Sequence, residues 1–115
     1  MRKTSGGDLR EVVRFQTRTE TDDGYGNPIA GVWATEFKAR ARIMPKMGSE
    51  AVVAARMQGM QPYIITIRSN AQARLVTPAW RAINDRTGAI YDIKAIANPD
   101  ERNAFLELLV TEGNG

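Results

Sequence analysis

The sequence predicts an all-β fold: a small six-stranded antiparallel barrel or sandwich, with one long loop or short helix between strands two and three. Three observations predict it. Tyr63-Ile64-Ile65-Thr66-Ile67-Arg68 is the densest run of β-branched and aromatic residues, bounded by Pro62 and by Ser69-Asn70. Residues 32–44 alternate more regularly than any other stretch. Turn dipeptides such as Asp-Gly, Gly-Asn and Asn-Pro separate apolar runs.

Each element has its own grounds. Residues 1–8 are polar and Gly-containing, a flexible leading segment. Residues 9–17 form the first strand, with Leu9, Val13, Phe15 and Thr17 on one face and Arg10, Val12, Arg14 and Gln16 on the other. Residues 19–28 are a loop between strands. Its cluster Asp22-Asp23-Gly24-Tyr25-Gly26-Asn27 resembles a calcium loop in outline. It lacks the terminal bidentate Glu and the flanking helices, so a hairpin loop is the better reading.

Residues 32–44 place Trp33, Thr35, Phe37, Ala39, Ala41 and Ile43 on a core face. Lys38, Arg40 and Arg42 line the opposite, wet face. Three cations in a row suit phosphate. They equally suit a solvated face or an edge guarded by charge. Residues 46–61 support two readings. Ser49 can cap a short Ala-rich helix that packs Val53 and Met57 on the barrel end. Alternatively the stretch is a mobile loop with a role of its own, with Gly48 and Gly59 as hinges and Met47, Met57 and Met60 as an adaptable contact surface.

The run from Tyr63 to Arg68 has two nearly apolar faces, as a central strand would. Residues 74–83 read as a strand interrupted at Pro78, with Trp80 and Ala82 on one face. Residues 84–88 are a hairpin loop and 89–97 the return strand, with Tyr91, Ile93 and Ala95 together. Residues 98–103 are a turn with Pro99 at the first position of one helical turn. Residues 104–112 close the domain with Leu106, Leu108 and Val110 inward, and 113–115 are a tail. The expected core is Trp33, Phe37, Ile65, Ile67, Tyr91, Ile93 and Leu108.

Composition bounds the function. A chain of 115 residues, 43% hydrophobic, is one domain with a small core, here residues 9–112. Lys plus Arg is 16 against 13 Asp plus Glu, a formal charge of +3, which fits an ordinary surface or one near nucleic acid. Without Cys there is no disulfide, thiol nucleophile or thiolate site, and without His the commonest general base and metal ligand are missing. Ser5, Ser49 and Ser69 have no His partner, and no phosphate-cradling Gly-rich motif occurs. These features predict no enzyme, no cofactor and no metal. No apolar run approaches the roughly 20 residues of a membrane span, and no signal peptide is expected at the N-terminus. The expected setting is a cytoplasm, or something assembled there.

A family resemblance adds what the residue chemistry cannot. Leu9-Arg10, Phe15-Gln16, Asp23-Gly24-Tyr25-Gly26-Asn27, Trp33, Ala41-Arg42-Ile43-Met44-Pro45, Gly48-Ser49-Glu50 and Ile65-Thr66-Ile67-Arg68 occur in this order. Thr77-Pro78-Ala79-Trp80-Arg81, Tyr91-Asp92-Ile93, Asn98-Pro99-Asp100-Glu101-Arg102-Asn103 and Leu106-Glu107-Leu108-Leu109 continue it. The order and spacing together, from about Leu9 to Glu112, resemble the head-tail joining proteins of long-tailed phages and prophages. The resemblance implies a barrel that forms a ring under the portal complex, closes the DNA-filled head and joins it to the tail. It implies partners: portal or adaptor proteins, a tail-completion or tail-terminator protein, further copies of the chain, and packaged double-stranded DNA, but no membrane. Lys46, Met47, Gly48, Ser49, Glu50, Arg56, Met57 and Met60 are then candidates for a channel or assembly loop. Lys38, Arg40 and Arg42 become a DNA-facing or partner-facing row, and Asp22, Asp23, Tyr25 and Asn27 a docking loop. The alternative is a β-barrel that binds single-stranded nucleic acid, which would need exposed aromatics; Trp33, Phe37 and Trp80 are expected on core faces instead. A small adaptor module is a third class.

Overall fold

Alternation of apolar and polar residues folds into six strands, each with a core-facing side. They are β1 (Glu11–Asp22), β2 (Pro28–Pro45), β3 (Pro62–Arg68), β4 (Arg81–Asn84), β5 (Ile90–Ala97) and β6 (Phe105–Gly113). The computed structural model describes residues 9–22, 24–46, 53, 57, 59–97 and 104–113. The strands close into an antiparallel barrel in the order β1-β2-β3-β6-β5-β4. Closure gives every strand two neighbours within the barrel wall and removes the free sheet edge there. The expected all-β barrel is therefore the observed fold.

β3 holds the place expected of it, paired to β2 on one side and β6 on the other. Ile65 and Ile67 are fully buried and meet Leu108 and Leu106 across the β6 ladder. Val13, Phe15, Ala41, Ala82, Tyr91, Ile93 and Val110 complete the interior. Aromatic rings close its two ends. Phe15 stacks on Phe37 at 4.9 Å, and Phe37 meets the edge of Trp80 at 6.1 Å. Tyr63 and Tyr91 meet edge to face at 5.5 Å.

Three β-bulges redirect side chains that strict alternation would place elsewhere. Phe15 pairs with Phe37 but Gln16 pairs with Thr35, so Glu36 is an extra residue in β2. The parity of β2 flips there. Thr35 and Trp33 turn outward beside Gln16 and Arg18, so Trp33 is not a core residue, contrary to the alternation. In β5 the extra residue is Lys94: Ile93 pairs with Val110 and Ala95 with Leu109. Ala95 is thus exposed and Ile96 packs on the core, the reverse of the expected order. The third irregularity, between Arg18 and Glu20, brings Gly31 against Thr19. A Cβ at Gly31 would lie 2.4 Å from the Thr19 carbonyl oxygen, so only glycine fits this approach.

Two expected boundaries move. Half of the loop expected at 19–28 is strand, because β1 runs to Asp22 and β2 begins at Pro28. The strand expected over 74–83 is only β4, preceded by a 3₁₀ turn at Ala73–Leu75 and a turn at Pro78-Ala79. Asn70 starts that 3₁₀ turn, its Oδ1 accepting from the Ala73 N–H at 2.8 Å. The turn expected at 98–103 lies outside the described residues, as does most of 46–61. Val53 and Met57 are helical, but 52% and 84% exposed, so they do not pack on the barrel end.

β1 and β2 are longer than the barrel needs. β4 pairs with β1 only over Val13 to Gln16, and β3 pairs with β2 only over Ala41 to Pro45. Residues 17–35 pair with each other alone, as a two-stranded arm leaving the barrel wall. The molecule is correspondingly long, 54 × 36 × 27 Å.

Candidate functional site

The outer wall of β1 and β2 carries the cations. Outward positions pair Val12 with Arg40 and Arg14 with Lys38, so Arg14 joins the row of Lys38, Arg40 and Arg42. Asp85, in the turn after β4, sits between two of them: Oδ1 is 3.1 Å from Arg14 Nε and Oδ2 is 3.8 Å from Lys38 Nζ. The Asp85 N–H donates to the Val12 carbonyl at 2.9 Å, which fixes the turn there. One end of the row is thereby partly neutralised. Among the described residues, neither Arg40 nor Arg42 meets a carboxylate. Arg68 of β3 extends the positive surface around a hollow of about 340 Å³ that Leu9, Lys38, Ala39, Arg40 and Asn70 also line. Arg68 itself lies over the Phe105 ring at 5.8 Å.

Where the arm leaves the barrel, the outward Trp33 ring is held by two guanidinium groups. Arg81 lies 4.4 Å and Arg18 5.2 Å from the ring centroid. Arg81 Nε donates to Gln16 Oε1 at 2.8 Å, and Gln16 Nε2 donates to Thr35 Oγ1 at 3.1 Å. Thr17 Oγ1 donates to Glu36 Oε1 at 2.6 Å beside them. Partial burial holds the Arg81 guanidinium below its usual pKa, with Arg18 adding to the effect. These contacts make a fixed base for the arm.

At the arm's tip, Asp22 serves the turn. Its Oδ1 accepts from the Gly24 N–H at 2.8 Å and the Gly26 N–H at 3.0 Å. Gly24 and Gly26 have φ of 91° and 82°, a region that favours glycine. Tyr25 is 90% exposed. Among the described residues no three acidic or metal-ligating side chains converge.

At the far end of β2, Lys46 N–H donates to the Pro62 carbonyl at 3.0 Å. Gln61 Nε2 donates to the same carbonyl at 2.7 Å and to the Lys46 carbonyl at 3.3 Å. Met60 beside this junction is exposed. Met47, Gly48, Ser49, Glu50 and Arg56 of the candidate loop, and Asp23 of the candidate docking loop, lie outside the described residues. The structure therefore keeps the three candidate groups apart: the docking loop at the arm tip, the basic row on the barrel wall, Lys46 and Met60 at the opposite end. Sequence reasoning missed Arg14, Arg68 and Arg81. Arg14 had a signal in its outward parity; Arg68 and Arg81 enter only through strand pairing.

A second hollow, of about 500 Å³, opens between Glu11, Arg86, Tyr63, Tyr91 and Glu112. Arg86 grips Glu11 with two bonds, Nη2 to Oε1 at 2.8 Å and Nε to Oε2 at 3.2 Å. That hydrogen bonding holds the Glu11 carboxyl below its ordinary value. Burial pushes the Tyr91 phenol up.

Comparison with known proteins bears on this arrangement. The family described as phage head completion protein matches residues 4–113. A chain from the virion of a native gene transfer agent particle is 19% identical, with a TM-score of 0.63 over 92% of this chain and 98% of that one. Protein SF1141 from Shigella flexneri 2a, a solution structure, is 21% identical, with a TM-score of 0.68 over 96% and 98%. Both share the fold. No curated protein matches the sequence.

Proposed function

The chain belongs to the phage head completion protein family, and from that premise we propose that it forms a ring under the portal complex, closes the DNA-filled head and connects it to the tail. The observation that carries this reading is the family match across nearly the whole chain, residues 4–113. The outward cations support it. Arg40, Arg42 and Arg68 form a positive wall that would face packaged double-stranded DNA or an acidic partner, through phosphate contacts that carry no sequence information. The protein acts by shape and association, with no turnover and no cofactor. Its partners are portal or adaptor proteins on one side and a tail-completion or tail-terminator protein on the other. The candidate loop containing Lys46 and Met60 reaches toward the channel, and the Asp22–Asn27 turn toward a neighbour. Assembly takes place in the host cytoplasm, from a phage or prophage genome.

The test is a phage lacking the protein. Heads should fill with DNA and then lose it, while tails accumulate unattached. Intact tailed particles, or a stall before packaging, would overturn the reading. The outward turn of Trp33 gives the single-stranded nucleic-acid reading one exposed-face aromatic. Arg81 and Arg18 already occupy its surroundings, which argues against a base-stacking platform. A salt-dependent titration with single-stranded DNA measures that alternative directly.

A further inference from the structure

The two ends of the barrel differ. Toward the arm, Phe15, Phe37 and Trp80 pack ring on ring. At the other end each of the six strands gives one residue to the hollow of about 500 Å³: Glu11, Ile43, Tyr63, Asn84, Tyr91 and Glu112. Each lies two residues from a core residue of its own strand, so period-two alternation turns it inward. The hollow is therefore the mouth of the barrel, a recurrent place for ligand sites. Its rim is preformed. Asn84 is 4% exposed, its Oδ1 accepts from the Arg86 N–H at 2.9 Å, and its carbonyl accepts from the Gly88 N–H at 2.8 Å.

The polar groups of the mouth are unevenly engaged. Glu11 already occupies the Arg86 guanidinium through two bonds. Glu112 stands opposite Tyr91 in the β5–β6 ladder, and among the described residues no cation pairs with its carboxylate. Tyr91 is 6% exposed and lines the hollow, and its hydroxyl has no hydrogen-bond partner among the described residues. Burial, then Glu112, Tyr63 and Glu11, push the Tyr91 phenol up, against Arg86 alone. The mouth thus holds an unpaired carboxylate, free phenol oxygens and two aromatic rings.

We propose that the barrel mouth binds the guanidinium group of an arginine side chain presented by a partner protein. The free groups select that chemistry. Glu112 calls for a cation, the phenol oxygens call for N–H donors, and the rings of Tyr63 and Tyr91 accept a positive group. A guanidinium is always charged, has five donors and no acceptor, and matches both a carboxylate and a ring face. Arg86 on Glu11 shows that fork geometry in the same mouth. The carboxylates repel phosphate, so the mouth takes a different class of partner from the Arg40, Arg42 and Arg68 wall. The inference stands on the mouth alone and holds whether or not the protein closes heads.

The test is a titration of the isotope-labelled protein with the peptide acetyl-Gly-Arg-Gly-amide, followed by amide chemical shifts. Saturable shifts should concentrate at Ala89, Tyr91 and Glu112. The same peptide with citrulline, the neutral isostere of arginine, should bind about tenfold more weakly or worse. Glu112→Gln, at an exposed position that leaves the core intact, should weaken the arginine peptide by a similar factor. Tyr91→Phe keeps the ring and should weaken it less. Arg42→Gln, on the outer wall, should leave it unchanged. No saturable shift, equal binding of the citrulline peptide, or an unchanged affinity in Glu112→Gln would overturn the proposal. Guanidinium chloride giving the same shifts with the same affinity would make this a small-cation site and overturn the protein partner.

Discussion

The barrel and the arm are made from the same two strands and differ in what surrounds them. In the barrel, β1 and β2 each have a second neighbour and an inner face sealed by Val13, Phe15 and Ala41, all fully buried. In the arm they have only each other, and Val32 is 88% exposed. An isolated two-stranded ribbon is marginal in water. This one is held at its root by the Arg18–Trp33–Arg81 stack and the Gln16 bridge, and at its tip by Asp22. Strand identity therefore does not set stability; the second neighbour does.

The largest expected effects lie in the barrel. Ile65→Ala and Leu108→Ala should each cost about 2–5 kcal/mol, read as a fall in denaturant midpoint, because both side chains are fully buried. Trp33→Ala should cost less, about 1–2 kcal/mol, since it loses two cation–π contacts and leaves no core cavity. A cost equal to that of Ile65→Ala would mean that Trp33 belongs to the core after all. Gly31→Ala should separate the two regions most clearly. The added Cβ meets the Thr19 carbonyl, so amide exchange should accelerate over residues 17–35 and stay slow in β3 and β6. The global midpoint should move by about 1 kcal/mol or less.

The smallest effect concerns pH. The Arg86 hydrogen bond lowers the Glu11 carboxyl in the folded protein, so its stabilisation is complete above the ordinary carboxylate range. It is lost as pH falls through the lowered folded value. Glu11→Gln should be less stable than the parent at neutral pH, and the difference should vanish in acid. A constant difference would remove charge from the account of this clamp.

Much of the fold was legible in the residues. The run around Ile65, the inward triplet Leu106, Leu108 and Val110, and the hairpin before Tyr91 each follow from period-two alternation and turn chemistry. The errors have one main physical cause. A bulge adds a residue without a sequence marker of its own, so parity fails beyond Glu36 and Lys94, and Trp33 and Ala95 change sides. The arm escaped notice because Thr21 and Asp22 resemble loop chemistry while pairing as strand. Of the candidate sites, the Lys38–Arg40–Arg42 row was visible as alternation. Arg68 joins it through β2–β3 pairing, and the barrel mouth draws one residue from each of six strands, a convergence that composition cannot report.

β2 passes from arm to barrel as one continuous strand, Pro28–Pro45. Its extra residue at Glu36 bends the path, and the Trp33 stack braces the bend. Mechanically this is a lever with a stiffened fulcrum. A modest load at the Tyr25 end becomes a torque on the barrel wall at Phe37 and Ala41, where β2 packs on the core. Whatever grips the tip can thus feel, and oppose, a rotation of the whole barrel.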